Sequence, residues 1–221
     1  MVPKPAPPGR VRNIVLDVLA LPVVFAGPRR RVRALDASIP MHYDFGQWTW
    51  RTERMAEIAL ARYALARSRA ANVLEVGNVL ALAGIAGHTV LDKYEAGPGV
   101  LNEDIVDYRP QKRFDLAISI STVEHIGFDE HPQEPGKAAR ALEHVGELAD
   151  RLLITIPVGY NHDAEVAVLN GPFDRVELLV KTSRLGIWEQ RELGGAANVR
   201  YGMPYAYGNG ILVGSRRLTA K

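Results

Sequence analysis

From residue 72 onward, short apolar runs alternate with stretches in which apolar residues return every three or four positions. Asn72 to Val76, Thr89 to Leu91, Phe114 to Ser119 and Leu152 to Ile156 are short, mostly apolar runs and read as strands. A helix is predicted from Thr52 to about Ser68, where Met55, Ile58, Ala59, Tyr63 and Leu65 mark an apolar stripe and Arg51, Arg54 and Glu57 fall elsewhere on the surface. A second is predicted over Gly136 to Asp150, with Ala138, Ala141, Leu142, Val145 and Leu148 on one face. Strands alternating with helices imply an α/β fold with a mostly parallel sheet and helices on both faces. Two later runs, Val176 to Val180 with Gly186 to Leu193, and Gly210 to Gly214, follow the last clear strand–helix unit and are expected to form an antiparallel edge.

Ahead of this body the pattern changes. Val2 to Gly9 is Pro-rich and reads as extended or disordered, and Ile14 to Ala26 is apolar apart from Asp17. Thirteen residues are too few to span a bilayer as a helix, which takes about 20, and Asp17 and Pro22 interrupt the run. The segment reads as a short helix that packs on the body, on a second copy of the chain or on a membrane surface. Residues 1–50 are therefore expected to form an appendage of basic arm, apolar helix and lid, and 51–221 one catalytic-size domain. A cytoplasmic location is expected.

Charge and composition narrow the chemistry. Residues 1–35 hold seven Lys and Arg against one acid, Asp17, whereas the remainder holds 20 basic and 24 acidic residues. A nucleic-acid partner wants its basic residues on the catalytic body, so none is expected. The chain has no cysteine, which excludes disulfides, thiolate catalysis and cysteine-ligated zinc.

The most informative segment is Val73-Leu74-Glu75-Val76-Gly77-Asn78, an apolar strand ending in an acid, one residue and a glycine. Glycine lets the backbone turn sharply and approach a ligand, and a following helix N-terminus offers unpaired N–H groups. A second strand ends in Asp92, where a carboxylate can bind the two hydroxyls of a ribose. Positions 79, 81 and 82 are Val, Ala and Leu, so the glycines that hold a dinucleotide pyrophosphate are missing. A cofactor with a ribose and no phosphate fits better.

In this order the residues resemble the class I, Rossmann-like S-adenosylmethionine-dependent methyltransferases. The resemblance covers roughly residues 72–160: Glu75-Val-Gly77 as first motif, Leu91-Asp92 as ribose acid, Asn102-Glu-Asp104-Ile105 on the adenine side, Phe114 to Ser119 as fourth strand and Leu152 to Pro157 as fifth. It implies S-adenosylmethionine as cofactor, with Glu75, Gly77, Asn78, Asp92, Asp104, Ile105 and Ser121 around it. Asp104, or its neighbour Glu103, would take the adenine amino group, and Ile105 would pack on the ring. It also implies that Met41 to Trp50, with Trp48 and Trp50, folds over the cofactor as a lid.

After the fourth strand comes Ser121-Thr-Val-Glu124-His125-Ile-Gly127. Family members that methylate hydroxyls use a histidine here as general base, a role an imidazole can fill near neutrality; His125 is the leading candidate and His144, on the following helix, a second. Other relatives place this Glu and His on a divalent metal, often Mg²⁺, which would make Glu124 and His125 ligands. Those relatives carry a glutamate where this chain has Ser121, leaving His144 or Asp163 to complete such a site. The polar loop Phe128 to Pro135, the segment Val158 to Asp163, and Tyr201, Tyr205, Tyr207 and Asn209 suit a carbohydrate or other polyhydroxylated acceptor. The expected activity is methyl transfer to a hydroxyl of a sugar or oligosaccharide. Nucleic-acid methylation, and a non-catalytic subunit that keeps the fold, are the alternatives.

Overall fold

The computed structural model describes residues 30–44 and 47–218, together with Val15, Val18, Leu19, Leu21 and Pro22. The Pro-rich start and most of the Ile14 to Ala26 segment, Asp17 included, lie outside the described residues. The five described residues of that segment are helical, and Leu21 packs against the core.

Eight strands form the main sheet: β3 (Val73–Val76), β4 (Thr89–Leu91), β5 (Val100–Leu101), β6 (Phe114–Ile120), β7 (Ala149–Pro157), β8 (Arg175–Ser183), β9 (Ile187–Arg191) and β10 (Gly210–Arg216). Their spatial order is β5-β4-β3-β6-β7-β10-β8-β9. The first five are parallel, and β10 runs antiparallel between β7 and β8. The expected antiparallel edge is present and larger than a pair. β10 inserts next to β7, and β8 and β9 close the edge as a hairpin.

Helix α1 (Arg54–Ser68) covers one face; α2 (Lys137–Leu148) and α3 (His162–Leu169) cover the other. The two-residue period of a strand distributes the central residues between them. Leu116, Ile118, Ile120, Leu153, Ile211 and Val213 join α1, while Ala117, Leu152, Ile154, Ile156 and Leu212 join α2 and α3. Being buried on both sides is what gives β6 and β7 the apolar runs Leu116 to Ile118 and Leu152 to Ile154.

Differences from the sequence reading concern the connections. Residues 77–88 between β3 and β4 hold only a short 3-10 turn, Leu80–Ala83, where a helix was expected to follow Gly77. The predicted helix over 136–150 ends at Leu148, and Ala149 is already extended and opens β7. Glu57, placed on the surface by periodicity, is fully buried, because Arg54, Ser121 and Thr155 satisfy its carboxylate. The first turns of α1 are buried nearly all round rather than along one stripe.

Between the apolar segment and Met41, residues 31–40 form a hairpin of β1 (Arg31–Ala34) and β2 (Ala37–Pro40), which the sequence reading did not include. Leu35 and Asp36 turn it with φ of 52° and 58°, the left-handed pair of a tight hairpin turn. Val32, Leu35 and Ile39 pack into the α1 core, and the Leu35 N–H donates to Glu177 of β8. Beyond it, Trp50 is buried in the same core and Trp48 stays partly exposed. Gln47 donates from its amide to the carbonyl of Leu82, so this stretch does reach the turn that follows Gly77. Among the described residues no helix is long and apolar enough to cross a membrane.

Candidate functional site

At the carboxyl end of β3 the chain turns at Gly77, whose φ of 93° favours glycine. A Cβ there would stand 2.1 Å from Thr122 Oγ1, so the segment after β6 packs directly on this turn. Glu75 is 1% exposed and faces inward. Its Oε1 accepts from Val79 and Leu80 N–H at 2.8 and 2.7 Å, and its Oε2 lies 2.7 Å from His88 Nε2. Glu75 thus shapes the loop, and both of its oxygens are engaged in doing so.

Asp92 extends from the end of β4. Its Oδ1 accepts from Tyr94 and Glu95 N–H at 2.8 and 2.7 Å, fixing the turn, while Oδ2 takes no part in those bonds. Asn78 Nδ2 donates to Glu95 Oε1 at 2.6 Å across the same opening, and Asn102 anchors the turn through the carbonyls of Asp92 and Glu95. Asp92 and Asn78 thereby stand at the carboxyl ends of the adjacent strands β4 and β3.

Asp104, expected on the adenine side, is held in an ion-pair cluster. Asp104 Oδ2 accepts from Lys137 at 2.5 Å and pairs with Lys93 at 2.9 Å, and both lysines also reach Glu130. Burial works to raise the Asp104 and Glu130 carboxyls, and the two lysines outweigh it and hold both below the usual range. A purine amino group needs one lysine to give way. Ile105 is 4% exposed and packs in the α2 core with Leu74, Val76 and Leu91, rather than facing an open slot.

Beyond β6 the chain enters a buried polar group. Ser121 has φ of 40°, held there by its N–H to Thr155 and its hydroxyl to Glu57 at 2.6 Å. The next residues form a 3-10 turn, Val123–His125, that splits its two chemical side chains: Glu124 is 2% exposed, whereas His125 is 47% exposed. His125 Nδ1 lies 2.5 Å from Asp129 Oδ2, which also accepts from the Tyr160 hydroxyl at 2.7 Å. His125 Nε2 lies 3.6 Å from Glu124 Oε1, outside hydrogen-bonding reach. Tyr160 packs edge-on against His125, Phe128 and Tyr201. The Phe128 to Pro135 loop and the segment after β7 thus meet where they were expected to. A cleft of about 470 Å³ opens beside them, lined by Phe128, Gly159, Tyr160, Asn161 and Val199. A larger groove, about 630 Å³ between α2 and α3, is lined by none of the candidate catalytic or cofactor residues.

Beneath this surface lie three buried carboxylates, Glu53, Glu57 and Glu124, and one guanidinium, Arg54, which pairs with Glu57 at 2.6 Å. Glu53 accepts from Gly208 N–H, and Glu124 Oε2 has no partner among the described residues. Burial pushes Glu124 well above the carboxylate range and raises Glu53 too, with Glu57 adding to both. Burial also lifts the Tyr201 hydroxyl to about 12, with Glu53 and Glu124 contributing. A raised folded value means the folded chain keeps its proton above the unfolded pKa of 4.5, so stability falls as pH rises from there. Asp104 and Glu130 are lowered, and their contribution changes only below that range. Between about pH 5 and about pH 8 the melting temperature is therefore expected to fall more steeply in the wild type than in Glu124→Gln. The variant should melt about 2–4 °C higher at the upper pH for each ~1 kcal/mol of relieved burial cost. Parallel slopes would contradict the assignment.

Glu53, Arg54 and Glu57 were not among the site residues read from sequence, while Asp129 and Tyr160 fall in the two segments expected to face the acceptor without having been singled out. For Asp129 the signal was its position four residues after a histidine that was itself singled out. His144 is not brought to this group. Its Nε2 lies 2.8 Å from the Tyr108 carbonyl and from Arg109, and its Nδ1 faces Glu147. Among the described residues no group of three or more histidine and acidic side chains is placed to hold a metal. Ser121 donates to Glu57, and neither His144 nor Asp163 joins Glu124 and His125 in such a group, so the Mg²⁺ reading finds no third protein ligand.

No family model and no curated protein matches the sequence. Among solved structures, the chain is similar to the N-methyltransferase NodS from Bradyrhizobium japonicum WM9 in complex with S-adenosyl-L-homocysteine, at 12% identity over 74% of this chain and 85% of that one, with a TM-score of 0.46. It is also similar to magnesium protoporphyrin IX methyltransferase from Synechocystis, at 16% identity, 74% and 79% coverage and a TM-score of 0.43. A third is the 16S rRNA methylase RmtB, at 14% identity, 90% and 73% coverage and a TM-score of 0.40. At such identities and scores, the acceptors of those enzymes say nothing about the acceptor of this chain. The architecture is read from the strand order: five parallel strands with β3 and β6 at the centre, then an antiparallel β10 inserted ahead of β8. The fold is a Rossmann-like α/β fold, a mostly parallel sheet covered by helices on both faces with an antiparallel edge. In it Gly77, Asp92 and His125 all sit at the carboxyl ends of the central strands, the edge at which open α/β sheets bind ligands. This chain builds that edge with a 3-10 turn in place of the helix after β3.

Proposed function

We propose that this chain binds S-adenosylmethionine at the carboxyl ends of β3 and β4 and transfers a methyl group to a hydroxyl of a sugar or oligosaccharide. The observation that carries the reading is the His125–Asp129 pair. Asp129 accepts from Nδ1 and fixes the ring's orientation, and Tyr160 holds Asp129. This leaves Nε2 to take the proton of an acceptor hydroxyl, the division of labour of an aspartate-oriented histidine base. The cleft beside Tyr160 offers the acceptor an aromatic wall with amide and carbonyl groups, a surface suited to a polyhydroxylated molecule.

When bound, S-adenosylmethionine supplies an electrophilic methyl group. Asp92 Oδ2 and Asn78 would hold its ribose, and the turn at Gly77 its amino-acid end; Glu75 keeps that turn in shape from below. Asp104 would take the adenine side once Lys93 or Lys137 turns to Glu130, which both already contact. The residues' task is alignment of acceptor, methyl and sulfur, plus proton removal at His125 Nε2.

Asp92→Ala is expected to weaken binding of S-adenosylhomocysteine by about 1–3 kcal/mol, the cost of stranding polar partners. Calorimetry measures it, and unchanged affinity would remove Asp92 from the site. The acceptor is found by following labelled methyl from S-adenosylmethionine into sugar, lipid and nucleic-acid pools; label in sugars supports the reading, and label in nucleic acid alone overturns it. A second reading, a chain that keeps the fold without the cofactor, draws on the engaged state of Glu75 and Asp104.

A further inference from the structure

Ahead of the β1–β2 hairpin, the described helical residues of the apolar segment carry an uncovered face. Val15, Val18 and Leu19 are 52%, 52% and 67% exposed, and their i, i+3, i+4 spacing sets them on one side of the helix. Leu21, roughly a third of a turn away at about 3.6 residues per turn, packs against the core. The body therefore takes one side of this helix and leaves a second apolar side open. A helix resting on a folded body ordinarily turns polar residues outward. Ile14 to Ala26 offers only Asp17 for that purpose.

The body does not cover this face, so its occupant is a second copy of the chain or a lipid surface, and charge selects between them. Residues 1–35 hold seven Lys and Arg against Asp17 alone, with Arg10 and Arg12 before the apolar segment and Arg29, Arg30 and Arg31 after it. In the hairpin, Val32 and Ala34 turn inward while Arg31 and Arg33 stay exposed. Two copies meeting here would bring two strongly basic segments together, whereas an anionic surface complements them. Valine and leucine on one face with arginines at the flanks is the composition of a helix that lies in the headgroup region. Among the described residues no helix is long and apolar enough to cross a membrane, which leaves contact along the surface. We propose that this chain docks on an anionic lipid bilayer, with Val15, Val18 and Leu19 entering the acyl boundary and the flanking arginines, Arg31 and Arg33 among them, meeting the headgroup phosphates. This inference does not depend on which molecule accepts the methyl group.

The test is flotation of the full chain with vesicles of phosphatidylcholine alone and of phosphatidylcholine with about 30% phosphatidylglycerol, an anionic lipid. Partition onto the anionic vesicles is expected to exceed that onto the neutral ones about tenfold or more, and to fall steeply between about 0.1 M and about 0.5 M NaCl as the charges are screened. Leu19→Glu should lower partition about tenfold or more while keeping the circular dichroism and melting temperature of the wild type, because the side chain is exposed. Arg33→Gln should lower it about threefold to fivefold on the anionic vesicles and leave the neutral ones unaffected. Equal partition onto the two lipids, no partition onto either, or a Leu19→Glu chain that floats like the wild type overturns the proposal. Sedimentation equilibrium without lipid addresses the other occupant: a monomer is expected, and a dimer that Leu19→Glu dissociates would assign the face to a second copy instead. The comparison of the two vesicles on the wild type stands even if a variant does not fold.

Discussion

On the proposed reading, replacing His125 by alanine is expected to lower methyl transfer by about 10²–10⁴-fold, the range that a positioned general base contributes, and to leave S-adenosylhomocysteine affinity unchanged. The reason is the ring's placement: Nδ1 is held by Asp129 and Nε2 is the group left to accept a proton. Asp129→Asn lowers kcat in the same direction with little change in KM, because it disturbs the ring's orientation without touching the acceptor. Initial rates with labelled cofactor measure both effects. A His125→Ala chain with the wild-type rate removes the residue from the chemistry.

The largest effect on stability is expected at Glu75. Glu75→Ala strands the Val79 and Leu80 N–H groups at a position 1% exposed, at a cost of about 2–6 kcal/mol for the two, and also removes the partner of His88. Glu75→Gln keeps one carbonyl oxygen for the two N–H groups and recovers most of that loss. Urea unfolding of the two variants separates the readings. Equal, small losses would mean that the carboxylate does not shape the turn.

Glu75 also illustrates what the sequence could and could not disclose. An acid at the end of a buried strand, one residue before a glycine, announces a sharp turn, and the chain does turn at Gly77. Whether that acid touches the ligand or supports the loop depends on where the next N–H groups point, and a 3-10 turn in place of a helix directs two of them at Glu75. Ile105 is a parallel case, since one apolar residue after an acid is equally consistent with a ring contact and with the core, and its neighbours Leu74 and Leu91 place it in the core.

Elements with strong periodicity were legible. β6 and β7 are apolar on both faces, and α2 repeats at helical spacing, so their places followed from pattern alone. The hairpin β1–β2 was not read, because its turn residues, Leu35 and Asp36, lack the glycine or asparagine that announces such turns; burial of Leu35 and its bond to Glu177 hold the turn instead. Helix α3 was not read although its signals were present: Asn161 caps Asp163 and Ala164 N–H, and Asp163 and Glu165 lie in the first turn. The acid cluster under the site was hidden for a third reason. Glu53, Arg54 and Glu57 come from the start of a helix that looks like a charged surface, and only the depth of α1 against β6 and β7 turns them inward.

The central claim is that this edge of the sheet holds S-adenosylmethionine. Calorimetric titration of the full chain with S-adenosylhomocysteine tests it most directly. The account predicts saturable binding with one site per chain, weakened in Asp92→Ala and unchanged in His125→Ala. No detectable heat at millimolar ligand, or equal binding by all three proteins, would contradict it.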